Sequence, residues 1–344
     1  MPNDSPSMSA STPNRTGAGT GRRHSAWRRL GLFVLRWREA SILIAGVLLV
    51  IYFQITTHVF LSSDNIGTLV QYTATTAIIA AGEVMVLVCG ELDLSVGMVY
   101  ALSPFIMHFA HEAGVPLIPA IILGLAVAGV VGAINAFITV ILEVPSFVTT
   151  LGMLFLVNGF TLTVSGGFPV QPQASDAMTN ALGASPVAEI IWAVAIVLIL
   201  QFVLSKTRWG LHTIATGGNP LGAAEVGIKV GWIKARNFVL CSMLGGLAGT
   251  IDAFRIGSID PLAGGTQIMF AAIASAVIGG TLLTGGLGTI VGAFFGALVL
   301  GILQDGFTLS GVSAYTFDMI LGGAILVTMV VNIRLTRLRE LGGG

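Results

Sequence analysis

Long apolar runs alternate with short polar segments through most of this chain. A helix that crosses a bilayer needs about 20 predominantly apolar residues. Runs close to this length predict ten spans, six before a polar segment at 206–236 and four after it. They are Ser41–Phe60, Ile66–Cys89, Val96–Ala110, Leu117–Leu142, Phe147–Val164, Val187–Leu204, Asn237–Phe254, Thr266–Leu283, Thr289–Gln304 and Ala314–Val331. The pattern predicts an all-α polytopic membrane protein with about ten transmembrane helices.

Positive charge is confined to three segments of the chain. Every Lys and Arg except Arg255 lies before residue 39, within 206–236 or after residue 333. Loops that carry Lys and Arg beside a span are translocated poorly and stay in the cytoplasm. We therefore expect both termini and 206–236 to be cytoplasmic. Since this requires an even number of spans on each side of 206–236, the short run Val96–Ala110 is retained as a span.

The order of spans assigns every connecting loop to one side of the membrane. The predicted cytoplasmic loops are Gly90–Ser95, Glu143–Ser146, 206–236 and Thr284–Gly288. The predicted external loops are Leu61–Asn65, His111–Pro116, Ser165–Pro186, Gly257–Gly265 and Asp305–Ser313. The longest external loop, Ser165–Pro186, offers a docking surface, but no loop is long enough to fold alone. We therefore expect one transmembrane domain at 39–333, between a disordered basic tail at 1–38 and a cytoplasmic tail at 334–344.

The composition agrees with a membrane protein and indicates no catalysis. The chain is 54% hydrophobic and 9% charged, whereas a soluble domain carries about 25% charged residues. Cys89 and Cys241 lie at the edges of apolar runs, so we expect two buried thiols and no metal site. The glycine-rich stretch 278–301 lacks the lysine of a phosphate-binding loop. We expect a protein that is not an enzyme, holds no cofactor and binds no nucleic acid.

The stretch GELDLSVG, Gly90–Gly97, places two acids and a serine between apolar spans. Its glycines and its alternation of polar and apolar residues predict a broken segment rather than a continuous helix. Acids at membrane depth usually face a cavity or a partner, so Glu91, Asp93 and Ser95 are candidates for a substrate pathway. Equally, Asp93 or Ser95 could cap the helix that begins near Val96. The remaining candidates for the pathway are the span residues Asn135 and Asn158.

A second motif, GGNPLGAAEVGI, lies within the basic segment 206–236. Gly217 and Gly218 are typical of a turn, Asn219 can cap a helix, and Pro220 suits the first helical position. The predicted helix runs over 221–226 and stops at Gly227. A short helix with small side chains on the cytoplasmic face is suited to insertion into a groove of a partner. The candidate coupling residues are Gly217, Gly218, Asn219, Pro220, Ala223, Ala224, Glu225 and Gly227.

Two further patterns concern packing. Gly124, Ala128 and Gly132 recur every four residues, as do Gly288, Gly292 and Gly296, and such faces let helices approach closely. Asp252 and Arg255 are three residues apart, so on a helix they can pair with each other. We expect a local ion pair there rather than a proton relay.

Four ordered motifs resemble the permease subunits of ribose-type sugar ABC importers. They are GELDLSVG with ALSP, TRWG with ATGGNPLGAAEVGIKV, the stretch 271–301, and GVSAYTFDMILGGAIL. The resemblance spans about Ser41–Val331 and implies a fold like that of type II ABC importers. It also implies a homodimer or pseudo-symmetric heterodimer in a bacterial inner membrane. A cytoplasmic ATPase that binds ATP and Mg²⁺ would grip Asn219–Gly227, and an external binding protein would deliver a monosaccharide.

Two departures from the family pattern change the charge near helix ends. Glu91 stands where the family usually has a neutral residue, and Ile268–Phe270 replaces a Glu-Leu-Asp sequence. Two other functions remain open from the residues alone. An ion-driven secondary transporter would use titration of Glu83, Asp93 or Asp318, and a membrane scaffold would transport nothing.

Overall fold

The structure, a computed structural model, describes residues 38–313 and single positions between 316 and 330. The predicted tails 1–38 and 334–344 therefore lie outside the described residues, apart from Arg38. So do most of the tenth predicted span, Ala314–Val331, and Asp318 within it.

The described residues form twelve α-helices and one π-helical turn, without any strand longer than an isolated bridge. The helices are α1 Arg38–Thr57, α2 Ser63–Val88, α3 Val96–Glu112, α4 Leu117–Val140, α5 Ser146–Ser165, α6 Asp176–Thr179, α7 Pro186–Lys206, α8 Arg208–Gly218, α9 Pro220–Glu225, α10 Val230–Ile256, α11 Gly265–Ile278 and α12 Ile290–Leu309. The π-helical turn, Asn180–Ala184, follows α6.

Each of the nine predicted spans within residues 38–313 corresponds to a helix. Six of these helices, α2, α4, α5, α7, α10 and α12, are long and apolar enough to cross a bilayer. Shorter apolar helices occur at Ile42–Thr57, within α1, and at Gly265–Ile278, which is α11. The prediction of an all-α polytopic membrane protein is therefore confirmed.

Helix α10 lies at the centre of the bundle. It packs along α4, α2 and α3, and the π-helical turn rests on its far end. A second group, α11 and α12, packs against α2, and α1 covers the outer side of α12. The largest core cluster draws on α2, α7, α10, α11 and α12, so one continuous apolar interior holds the helices together.

Glycine faces let these helices approach one another closely, as the sequence predicted. A Cβ atom added at Gly132 of α4 would lie 2.5 Å from the carbonyl oxygen of Phe238 on α10. One added at Gly124 would lie 2.6 Å from the carbonyl oxygen of Ser103 on α3. At both places only glycine leaves room for the neighbouring backbone, and the close approach increases dispersion contacts within the membrane.

Loops assigned to the cytoplasmic side contact one another. The Gly286 amide donates to the carbonyl of Val88 at 2.9 Å, which joins the 284–288 turn to the end of α2. At the same end, the side chain of Gln201 near the end of α7 accepts from the amide of Ile290 at 2.9 Å and so caps α12. The broken segment is tied to α5, because the Leu92 amide donates to Ser146 Oγ at 3.3 Å.

Loops assigned to the external side also meet. Val170 and Ile259 exchange two backbone hydrogen bonds of 3.0 and 2.7 Å, which join loop 165–186 to loop 257–265. Asn65 donates to Asp305 Oδ2 at 2.6 Å, which joins the start of α2 to α12. Loops predicted to share a side of the membrane therefore lie at one end of the bundle, as alternating spans require.

Two predicted boundaries are wrong. Gly217 and Gly218 are the last residues of α8 rather than part of a turn, because Gly217 packs directly on the carbonyl of Val88. The span predicted at Thr266–Leu283 ends as a helix at Ile278, where Gly279 and Gly280 follow and Gly280 has a φ of +91°. Such a positive φ suits glycine and stops the helix.

Candidate functional site

The motif within the basic segment forms the short helix that the sequence predicted. Asn219 is the N-cap of α9, where its Oδ1 accepts from the Gly222 amide at 3.0 Å, and Pro220 occupies the first turn. Gly227 follows with a φ of +86° and turns the chain towards α10. The side chains of Leu221 and Val226 are 79% and 77% exposed. Helix α9 therefore presents an apolar contact surface at one end of the bundle.

The small residues of α9 do not all face outward. Ala223 is buried against the subunit, whereas Ala224 and Glu225 are exposed. Gly218 of α8 lies against Gly286 of the 284–288 turn, and the neighbouring Gly217 contacts the end of α2. The exposed side chains of Ala224 and Glu225 are therefore available to a partner. Gly217, Gly218 and Ala223 hold α9 and the end of α8 against the bundle.

A polar network connects α8, the helix before α9, with the bundle interior. The indole of Trp209 on α8 donates to Asn237 Oδ1 at 2.9 Å. The Asn237 amide nitrogen donates to the carbonyl of Met85 at 3.0 Å and to Thr213 Oγ1 at 3.2 Å. Asn237 is fully buried in α10. These hydrogen bonds join α8 directly to α10 and α2.

Trp209 and Asn237 were not predicted from the sequence as members of this site. Trp209 belongs to the TRWG stretch, and Asn237 is a polar residue at the start of a predicted apolar span. A buried polar side chain needs a partner, so the position of Asn237 signalled a contact. Its partners come from α8 and α2, which only the tertiary structure brings together.

The segment Gly90–Ser95 is non-helical, as predicted, and it holds the first acid by an ion pair. Lys234 Nζ lies 2.5 Å from Glu91 Oε1, and both side chains are largely buried. Thr150 Oγ1 donates to the carbonyl of Leu92 at 3.3 Å. The negative charge that departs from the family pattern at Glu91 is thus balanced within this chain.

Asp93 is the centre of a buried cluster of hydrogen bonds. Its Oδ1 accepts from the Ser95 amide at 2.9 Å and from Ser95 Oγ at 2.6 Å. Asn135 of α4 donates to Ser95 Oγ at 2.9 Å, and it lies 3.4 Å from Asp93 Oδ1. Ser242 of α10 donates to Asp93 Oδ2 at 3.3 Å. Asp93, Ser95 and Asn135 are each 0% exposed.

This cluster answers part of the question that the sequence left open. Ser95 is the N-cap of α3 but its side chain makes no capping bond, whereas Asp93 binds the Ser95 amide two residues later. The cluster joins the broken segment to α4 and α10, a positioning role. Asn158 is half-buried in α5 and makes no side-chain hydrogen bond to the cluster. The assignment of these residues to a substrate pathway stays a prediction.

A polar cavity lies between the first half of α2 and the helices α11 and α12. Its volume is about 180 Å³. The hydroxyl and amide side chains that line it are Tyr72, Thr75, Thr76, Tyr100, Gln267 and Gln304. Tyr72 lies about 14 Å from the start of α2, well within the depth of a bilayer. These residues were not predicted from the sequence, although Tyr72, Thr75 and Thr76 recur at helical spacing.

A charged group closes one side of this cavity. Arg255 pairs with Asp252, whose Oδ1 accepts from Arg255 Nε at 2.6 Å, and the predicted ion pair is confirmed. Glu189 of α7 is fully buried and lies 3.5 Å from the same guanidinium nitrogen. An adjoining cavity of about 310 Å³ shares Tyr100, Asp252 and Gly264 with the first. The two cavities thus meet at a common polar wall.

Two thiols and one further acid lie buried elsewhere in the described part of the chain. Cys89 and Cys241 are both free and buried, as the sequence predicted. Within residues 38–313, no three His, Cys, Asp or Glu side chains are grouped so that they could hold a metal ion. The buried acid Glu83 accepts from the Cys241 thiol at 3.7 Å.

The chain is similar to one family of permease components and to several import permeases. Residues 65–329 match the family described as branched-chain amino acid transport system / permease component. The chain is 38% identical over 308 residues to the xylose/arabinose import permease protein XylH of Sulfolobus acidocaldarius, a match that covers 88% of this chain and 86% of that protein.

Bacterial relatives are similar over the same length. The ribose import permease protein RbsC of Escherichia coli K12 is 33% identical, with 87% of this chain and 95% of that protein covered. The D-allose transport system permease protein AlsC of the same organism is 31% identical, with 87% and 93% covered. No solved structure matches this chain significantly.

Proposed function

The chain belongs to the family described as branched-chain amino acid transport system / permease component, and from this premise we propose the following role. It is the transmembrane permease subunit of an ABC importer that translocates a monosaccharide or a related small polar solute. ATP hydrolysis on a separate cytoplasmic subunit drives the transport. ATP and Mg²⁺ bind that subunit, and this chain holds no cofactor of its own.

The substrate class rests on the relatives. Their names assign them to xylose/arabinose, ribose and allose. All four sugars are monosaccharides with several hydroxyl groups and no net charge. A permease for such a solute needs hydrogen-bonding groups rather than a fixed counter-charge along its pathway.

The observation that carries the proposal is helix α9. It is exposed, capped by Asn219 and fixed to the bundle by Gly217 and Ala223. A rigid short helix with the exposed side chains of Leu221, Glu225 and Val226 fits a groove on a cytoplasmic ATPase. The Trp209–Asn237 hydrogen bond then gives a route by which movement of α9 and α8 reaches α10.

Polar side chains in the external half of the bundle support a pathway for sugar. Gln267 is exposed, and Tyr72, Thr76 and Gln304 are half-buried around the 180 Å³ cavity. Polar groups at membrane depth face a water-filled space or a protein partner, because lipid offers no hydrogen bonds. These side chains therefore line the outer part of the pathway, where a second permease copy completes it as a homodimer.

The remaining partners follow from the same role. An extracytoplasmic binding protein delivers the solute to the external loops, which include Ser165–Pro186. The protein resides in the bacterial inner membrane, crosses it several times and keeps both termini in the cytoplasm. The confinement of Lys and Arg to the two termini and 206–236 supports this orientation.

Reconstitution tests this function directly. The chain is placed in lipid vesicles with its candidate ATPase and binding protein, and ATP hydrolysis is measured with xylose, arabinose, ribose and allose. We expect one loaded binding protein to stimulate hydrolysis and uptake together. If no ATPase associates and an ion gradient alone drives uptake, the chain is instead an ion-coupled secondary transporter.

A further inference from the structure

An apolar groove of about 780 Å³ runs between α4 and α10 at the end of the bundle that carries the basic segment. Its walls include Phe137 and Val140 of α4, the following residue Ile141, and Val239 and Met243 of α10. Phe137 is 54% exposed and Ile141 is 65% exposed. The groove therefore offers a long hydrophobic surface on the outside of the subunit.

One arginine side chain lines this groove. Arg236 lines it, and the guanidinium carbon lies 4.9 Å from the ring centroid of Trp209 and 5.8 Å from that of Trp232. Both distances are within the range of cation–π attraction. No carboxylate in the part of the chain that the structure describes pairs with Arg236, whereas the nearby Lys234 is neutralised by Glu91. The positive charge of Arg236 is thus available to an external anion.

Apolar walls with an arginine and two tryptophans match the chemistry of one ligand. Trp is enriched where the hydrocarbon of a bilayer meets its headgroups. Anionic lipids attract Lys and Arg near the cytoplasmic surface of a membrane. We propose that the groove binds an anionic phospholipid, with its phosphate on Arg236, the interface at Trp209 and Trp232, and an acyl chain along Phe137 and Val239.

The bound lipid contacts the coupling helices directly. Trp209 forms one wall of the groove and also donates its indole hydrogen to Asn237. A lipid that packs on Trp209 therefore touches the same side chain that links α8 to α10. The site is distinct from the polar cavity, which lies between α2, α11 and α12.

Quenching of tryptophan fluorescence by brominated lipid tests the proposal. Trp27, Trp37 and Trp192 are replaced by Phe in the full chain, which leaves the two groove tryptophans as reporters. The protein is placed in phosphatidylcholine vesicles that contain either brominated phosphatidylglycerol or brominated phosphatidylcholine. We expect phosphatidylglycerol to bind about fivefold more strongly than phosphatidylcholine, the effect of one cation at an anionic headgroup.

Two arginine variants separate the groove from general charge attraction. Arg236→Gln should abolish the preference for phosphatidylglycerol. Arg208→Gln removes an exposed cation that lies on α8 outside the groove, and it should leave the preference unchanged. Both side chains are exposed, so neither change should disturb the interior of the bundle. The elution volume on size exclusion checks the fold.

Three results would overturn the proposal. Equal quenching by the two lipids shows an apolar contact without headgroup recognition. A preference that survives Arg236→Gln shows that another cation attracts the lipid. Weak quenching by both lipids shows that the groove is covered by protein, such as a second copy of this chain.

Discussion

Lys234 Nζ lies 2.5 Å from Glu91 Oε1, and this ion pair joins the broken segment to the first turns of α10. The two residues are 143 positions apart in the chain. Their side chains are 23% and 11% exposed, so each charge depends on the other for most of its compensation. The pair places an acid of the broken segment next to the basic segment 206–236.

Glu91→Gln should lower the free energy of unfolding by about 2 kcal/mol, between the values for exposed and fully buried pairs. The loss follows because the Lys234 ammonium keeps its charge without a counter-ion. Thermal unfolding in detergent measures the effect. The double variant Glu91→Gln with Lys234→Gln should lose less stability than the two single effects added together, and full additivity would show that the ion pair contributes nothing.

Substitutions of Asp93 separate a positioning role from contact with solute. Asp93→Ala leaves the Ser95 amide and hydroxyl and the Ser242 hydroxyl without their acceptor, at a cost of about 3 kcal/mol. Asp93→Asn keeps one oxygen for Ser95, and the Ser242 hydroxyl can rotate to accept from the new amide. We expect Asp93→Ala to prevent assembly and Asp93→Asn to assemble and transport within about twofold of wild type. Purified complex and uptake per complex are the measurements.

The contrary outcome for Asp93 has a definite meaning. If the Asp93→Asn complex assembles fully but takes up no solute, the side chain does more than hold the broken segment. Its assignment to the substrate pathway would then gain support. Thr161→Val serves as the control variant and should assemble and transport like wild type, since the Thr161 hydroxyl bonds only within its own helix α5.

Association with an ATPase should depend on the cap of α9. Asn219→Ala removes the acceptor for the Gly222 amide, and loss of an N-cap costs about 1 kcal/mol. Asn219→Asp retains the cap. We expect the ATPase to co-purify with wild type and Asn219→Asp but less with Asn219→Ala. Equal recovery with all three proteins would contradict the assignment of α9 as the coupling helix.

A substitution in the lining of the polar cavity should reduce transport without loss of assembly. Thr75 and Thr161 are both buried threonines whose hydroxyls bond the carbonyl four residues earlier, at 3.4 and 2.8 Å. Only Thr75 lines the cavity. Thr75→Val should reduce uptake about fivefold, because it removes one hydrogen bond to the solute. Uptake is measured at a fixed amount of loaded binding protein. Thr161→Val should not change it, and equal effects would place solute elsewhere.

Glycine substitutions test the packing of α10. A Cβ at Gly249 has no room beside the carbonyl of Tyr100 on α3, whereas one at Gly152 on α5 would contact nothing within 4 Å. Gly249→Ala should lower the free energy of unfolding by about 3 kcal/mol. Gly152→Ala should raise it by about 0.5–1 kcal/mol, because alanine favours the helix. Melting temperatures in detergent compare the two, and similar values would refute close packing at Gly249.

The order and type of the helices could be predicted because the residues of each span determine it without distant contacts. Apolar length defines a span, and the Lys and Arg residues predict the side on which its ends lie. Asn219, Pro220 and Gly227 define α9 in the same local way, since each acts on its own backbone. Even the Asp252–Arg255 pair is a contact within one helical turn.

The contacts that give these residues their roles depend on chain segments far apart in sequence. The sequence determined that Glu91, Asp93 and Asn135 are polar groups in an apolar setting, and their role in a solute pathway stays a prediction. Only the tertiary structure decided that Lys234 neutralises Glu91, that Ser242 binds Asp93, and that Tyr72, Gln267 and Gln304 surround one cavity. The physical reason is that a buried polar group must find a partner, but helix packing decides which one.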